Sequence, residues 1–322
     1  TSRTAANAVI NAIPTISATT PASRCSTGTV TLGATASAGT INWYAAATGG
    51  SSLGTGTTFT TPSISTTTTY YVDATANSCT SSSRTAVVAT VNANPTVTAT
   101  TPGSNCGTGT VTLGATASAG TLSWFAAASG GSALGTGTSF TTPSIASTTT
   151  YYVSATNGSC TSPTRSSVIA TINPRPTISS STPGSRCGTG TVLLGAASAT
   201  TINWFDALTG GSSLASGTSF TTPSIATTTT YYAEANNGTC TSASRTAVVA
   251  TVNSFPTITS TTPGSRCGTG TVALSAVAST GSVKWYAAAT GGTALATATS
   301  YTTPSIAATT SYYVDATSTA GC

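Results

Sequence analysis

The chain has 322 residues, and charged side chains make up only 4% of them, against about a quarter in an ordinary soluble domain. Its formal charge of +5 comes from nine scattered cations, which excludes the concentrated basic footprint of a nucleic-acid binder. No apolar run reaches the roughly 20 residues of a spanning helix, so no membrane insertion is expected.

Residues 1–13 do not begin a repeat. Ser2-Arg3-Thr4-Ala5 matches Ser83-Arg84-Thr85-Ala86 and Ser244-Arg245-Thr246-Ala247, which lie at the end of a unit, so this stretch reads as the last strand of a preceding repeat. Units then start at Pro14, Pro95, Pro176 and Pro256, which divides the chain into residues 14–94, 95–175, 176–255 and 256–322. Cys322 matches Cys79, Cys160 and Cys240, so the fourth unit reads as lacking its last strand. Residue 1 is a threonine and no methionine occurs, which points to a processed product or an excerpt of something longer.

Within the first unit the pattern predicts strand A over Pro14–Ser17, a long loop through Arg24-Cys25, strand B over Thr29–Ser37 and strand C over Thr40–Ala45. A short C′ near Ser51–Leu53 follows, then E over Thr57–Pro62, F over Thr68–Ala74 and G over Thr85–Asn92. Val30, Leu32 and Ala34 share one face of B, and Tyr70, Val72 and Ala74 one face of F, as a half-buried strand requires. Seven short strands cut by Gly, Ser and Pro predict an all-β sandwich. The linkers between units, such as Ala93-Asn94, are so short that neighbours must abut.

Strand C carries the anchor. Trp43, Trp124, Trp204 and Trp285 are all the tryptophans of the chain, at separations of 81, 80 and 81 residues. Each is followed by a Gly-Gly turn, beginning with Gly49-Gly50. No other side chain here buries as much apolar area, so each tryptophan is expected at the centre of its unit's core.

Catalysis finds little to work with. The chain has no histidine, one lysine (Lys284) and four carboxylates, Asp73, Asp206, Glu234 and Asp315, three of them at equivalent strand-F positions of separate units. We therefore expect no enzyme, no cofactor and no metal. An isopeptide staple would need a lysine in every unit, and a thioester would need glutamine, which the chain lacks. Asn157-Gly158-Ser159 and Asn237-Gly238-Thr239 are sequons but also strong turn signals. The threonine runs before Tyr70 and its counterparts read as E–F connections in preference to sugar carriers. Arg24, Arg186 and Arg266, beside a cysteine, read as solvated loop cations in preference to partners of a neighbouring domain.

The succession Trp-Tyr, Gly-Gly, Leu, Gly, Phe-Thr-Thr-Pro, Ile, Thr-Thr-Tyr-Tyr-Val and Cys resembles the Ig-like repeats of large Bacteroidota cell-surface proteins, many exported by the type IX route. The resemblance spans all four units. Departures are small: Ser154 replaces the acidic residue after Tyr-Tyr-Val, Ala233 replaces that valine, and the third unit has one residue fewer before its tryptophan. It implies tandem Ig-like β-sandwich domains, head to tail in an extended row, and a structural or adhesive stalk of an extracellular surface filament or giant adhesin. Its partners would be neighbouring repeats, surface glycans or a host surface. Two alternatives stay open: a glycan-binding array, or a filament subunit that donates Thr4–Asn11 to the last domain of the next subunit.

Eight cysteines, two per unit, suit an exported protein. They are not the core pair of an Ig domain, whose positions are held here by Leu32 and Val72. In an Ig-type sandwich Cys25 lies at the end where G exits and Cys79 at the opposite end. A strand of about seven residues separates those ends by about 23 Å, beyond the roughly 4.4–6.8 Å that a disulfide spans. The expected pairs therefore run between domains: Cys25 with Cys160, Cys106 with Cys240, and Cys187 with Cys322. Cys79 and Cys267 are left for units outside this stretch. Only an unusual course of the A–B loop would restore the local Cys25–Cys79 pair.

Overall fold

Short runs of β-branched and aromatic residues, broken by Gly, Pro and Ser, favour strands over helix throughout. The computed structural model, which describes all 322 residues, contains strands and no helix. It divides into two units, Thr1–Ile172 and Asn173–Cys322, each holding two sandwiches.

The first sandwich shows the plan. Its strands are β1 (Ile16–Thr20), β2 (Ala22–Cys25), β3 (Thr31–Ala36), β4 (Thr40–Tyr44), β5 (Gly54–Thr55), β6 (Thr58–Thr60), β7 (Thr68–Ala76), β8 (Cys79–Thr80) and β9 (Thr85–Asn92). One sheet has the order β1-β3-β6; the other has β2-β9-β7-β4-β5, with β8 folded back on β7. Arg24 and Cys25, expected in a loop, therefore lie on a strand. Pro21 has no amide for a ladder, so β1 ends there and the chain crosses to the other sheet. There β2 covers the edge of β9 in parallel, Ala22 opposite Ala89 and Cys25 opposite Asn92.

The short edge strand is also displaced, to Gly54–Thr55 in place of Ser51–Leu53. Gly49 and Gly50, at φ 67° and 72°, make a wide left-handed turn that side chains disfavour. The chain returns to the sheet only at Leu53, whose amide bonds the Trp43 carbonyl at 2.7 Å. Residues 1–13, read as the last strand of a preceding repeat, pair with none of the four repeats, and Val9 and Ile10 are exposed. A strand exists only in a ladder, and no edge within the chain receives them.

The core sits between the sheets and is built on the tryptophan. Trp43 is fully buried, stacks on Phe59 at a centroid distance of 5.5 Å, and Phe59 meets Tyr70 at 5.3 Å. Its Nε1 donates to the Gly56 carbonyl at 2.8 Å, so the indole's one polar atom is satisfied in the core. Trp124, Trp204 and Trp285 repeat this with Gly137, Gly217 and Ala298. Val30, Leu32, Ala34, Tyr70, Val72 and Ala74 all face this core.

The second and third repeats follow the same plan. In the third, a shorter turn before strand C is closed by Ser198 Oγ accepting from the Thr200 amide at 3.2 Å. The fourth departs from it. Its two sheets have three strands each, and residues 264–267, which match β2, are not paired. Val272 and Leu274 are partly exposed, whereas Val30 and Leu32 are buried.

Candidate functional site

The side chains that bear chemistry gather at the joints and beside the central strands. At the first joint, Cys25 ends β2 opposite Asn92, and the amide of Ser26 bonds the Asn92 carbonyl at 2.9 Å. Cys25 is thereby held where the first repeat hands over to the second. Cys160 follows the Asn157-Gly158-Ser159 turn of the second repeat, paired back onto Asn157. The two sulfurs are bonded, with Cα atoms 5.5 Å apart. Cys79 sits beyond the far end of β7, which at nine residues is about 30 Å long. Cys25 has no local partner because the strand length forbids it.

The second unit repeats the arrangement: Cys187 is bonded to Cys322, with Cα atoms 5.6 Å apart. Cys106 and Cys240 are also each disulfide-bonded. Cys79 and Cys267 are free thiols, half-buried and exposed respectively. Alkylation of the unreduced, denatured chain should therefore label two thiols per molecule, at Cys79 and Cys267. Recovery of a modified Cys25 or Cys160 peptide would contradict the joint.

The sequons are turns. Gly158 has φ 59°, and the Asn237 side-chain oxygen accepts from the amides of Thr239 and Cys240 at 3.0 and 2.7 Å. Arg24, expected to be solvated, instead braces its own loop, donating to the carbonyls of Ser26 and Thr29 at 3.0 Å each. Arg186 does the same with Gly188 and Thr191 at 3.1 Å.

A second constellation is one that sequence reasoning missed. Arg84 lies 3.2 Å over the Tyr44 ring and donates to the carbonyls of Ala46 and Gly49 at 2.8 and 2.6 Å. Its Nε reaches the buried Asp73 carboxylate at 3.4 Å. Arg165 over Phe125 and Arg245 over Phe205 repeat the clamp at 3.3 Å, and Arg245 adds Glu234. A planar guanidinium can stack and bond two carbonyls at once, which an ammonium cannot. The signal was the recurring arginine before strand G.

Together these features define a tandem array of Ig-like β-sandwiches in which consecutive repeats of a unit are joined by a disulfide. The chain belongs to the family described as Ig-like domain, CHU_C associated, which matches residues 12–92, 93–174, 175–253 and 254–322. Similar solved structures are also multidomain chains. Extracellular domains 3–5 of Drosophila OTK are 13% identical over 76% of this chain and 98% of that one, with a TM-score of 0.31. Sidekick-1 immunoglobulin domains 1–5 are 13% identical over 94% and 76%, at 0.28. The fibronectin(III)-like modules of Clostridium thermocellum CbhA are 16% identical over 50% and 95%, at 0.31. A comparison with curated proteins finds no match.

Proposed function

We propose that this chain is part of a structural or adhesive stalk on the outer surface of a bacterium of the Bacteroidota type, its repeats set head to tail in an extended row. The observation that carries the reading is the bond between Cys25 and Cys160. It ties the exit end of one repeat to the F–G turn of the next, beside the covalent linker. Two connections at one joint resist bending, which matters to a strut and adds nothing to an isolated binding module. The disulfides suit an oxidising, extracellular setting.

A glycan-binding array is the weaker reading. Trp43, Phe59 and Tyr70 are committed to the core, and Tyr44 lies under Arg84. Stacking faces for sugars are therefore few.

Small-angle scattering tests the stalk. Four repeats of about 40 Å each, end to end, give a radius of gyration above about 40 Å. A compact globule of this length has about 20 Å. We expect the oxidised chain near the larger figure, and a value near the smaller would refute the row. Binding on a glycan array would instead favour the binding module.

A further inference from the structure

The second repeat, residues 95–175, holds two arginines, Arg165 and Arg175, and no Asp or Glu. Its clamp differs accordingly from the other two. In the first repeat Asp73 takes the Arg84 Nε at 3.4 Å, and in the third Glu234 takes that of Arg245 at 3.4 Å. Arg165 keeps the two carbonyl bonds, to Ala127 at 2.6 Å and Gly130 at 2.7 Å, and reaches no carboxylate.

Ser154 stands where the acid stands elsewhere. It lies opposite Ser123 in the ladder of Thr121–Phe125 and Thr149–Asn157, as Asp73 lies opposite Asn42 and Glu234 opposite Asn203. In the first repeat the Asn42 amide fills the remaining space, donating to Asp73 at 3.0 Å and to Thr75 at 3.2 Å. Two serines are too short to repeat either bond. Beside the guanidinium there is instead an open cavity of about 450 Å³, with Ser123, Ser154, Thr156, Thr161 and Thr164 around it. Ser154 is 5% exposed and Arg165 half-buried, so the charge sits in a recess and is screened less than on an open surface.

The chemistry of a fitting guest follows from the neighbouring repeats, which complete this arginine with a carboxylate. A carboxylate makes charge-assisted bonds to a guanidinium, and a single cation balances a single such charge. The rest of the wall is hydroxyl groups, each able to donate or to accept. Thr156 and Thr161 bond each other at 3.1 Å and still have lone pairs to offer. A sugar hydroxyl has the same double character, whereas a peptide backbone offers fixed donors and acceptors. The volume lies within the roughly 300–1,000 Å³ usual for small-ligand sites.

We propose that the second repeat binds a carboxylated sugar, a uronate residue of an acidic polysaccharide, whose carboxylate takes the place that Asp73 and Glu234 fill from within. The guest's carboxylate accepts from Arg165 Nε, and its ring hydroxyls exchange hydrogen bonds with Ser123, Ser154 and Thr164. Recognition rests on charge in one recess and needs no stacking face. The first and third repeats, whose arginines are already neutralised, have no such site. The inference goes beyond the stalk and does not depend on it, since a compact chain would carry the same recess.

Nuclear magnetic resonance on the full oxidised chain tests it, with trigalacturonate as the probe, constant ionic strength, and the arginine Nε–H groups as reporters. The Arg165 signal should shift and saturate, while those of Arg84 and Arg245 stay in place. The methyl ester of the same trisaccharide, sodium sulfate and a triglutamate peptide should each bind at least tenfold more weakly. Ser154→Asp copies the pair of the first repeat, so the fold accommodates it, and it should weaken trigalacturonate binding at least tenfold. The spectrum itself checks that this variant is folded. An Arg165 signal that trigalacturonate leaves unmoved would overturn the proposal. So would equal binding of the ester, the sulfate or the peptide, or binding that Ser154→Asp leaves unchanged. A response of all three clamps would also overturn it and point to a glycan-binding array.

Discussion

Trp124→Ala is expected to destabilise the second repeat by about 3–5 kcal/mol, the usual cost of emptying a buried tryptophan site. Trp124 is fully buried, stacks on Phe140 at 5.4 Å and donates to the Gly137 carbonyl at 2.9 Å. The substitution therefore leaves a cavity, a ring without its partner and a carbonyl without its donor. For a domain of this size the loss is a large share of the total stability, and its melting transition should fall by more than about 10 °C. Hydrogen exchange resolves the effect by position: protection along Thr121–Phe125 and Thr149–Asn157 should collapse. Leu134, which is 47% exposed, is the control, and Leu134→Ala should change little. Unchanged protection in the tryptophan variant would mean that the core is centred elsewhere.

The second large effect is mechanical. Cys25 and Cys160 are 135 residues apart in sequence and covalently joined. When the chain is pulled between handles at residues 14 and 172, tension passes from Cys25 straight to Cys160. The intervening residues, with most of two cores, carry no load. Under reductant the same pull should release about 470 Å of additional contour, at about 3.5 Å per residue, less what the folded repeats already span. Single-molecule extension with and without reductant measures this. Steps of about 280 Å, the length of one unfolded repeat, in the oxidised molecule would show that the bond does not shunt the force.

Much of this is legible in the sequence. The tryptophan spacing predicted four units, and period-two alternation at Val30, Leu32 and Ala34 and at Tyr70, Val72 and Ala74 picked out the faces that are buried. Alternation reports burial directly, because a strand puts successive side chains on opposite faces. The switch of sheets at Pro21 was harder to read. Proline announces a break, but nothing in Ala22–Cys25 says which edge the chain will join next. That depends on β9, more than sixty residues later, having an edge to cover.

The arginine clamp marks the same limit. Ser83-Arg84-Thr85 was visible as a recurring string, yet its partners are the Tyr44 ring and the carbonyls of Ala46 and Gly49. Carbonyls leave no trace in a sequence, since every residue has one. Local order alone determined the repeat, its strands and its tryptophan anchor, because these follow from spacing, periodicity and size. Tertiary structure alone decided which backbone atoms hold the arginine and which edge β2 covers. Those depend on which distant segments the fold brings within a few ångströms of one another.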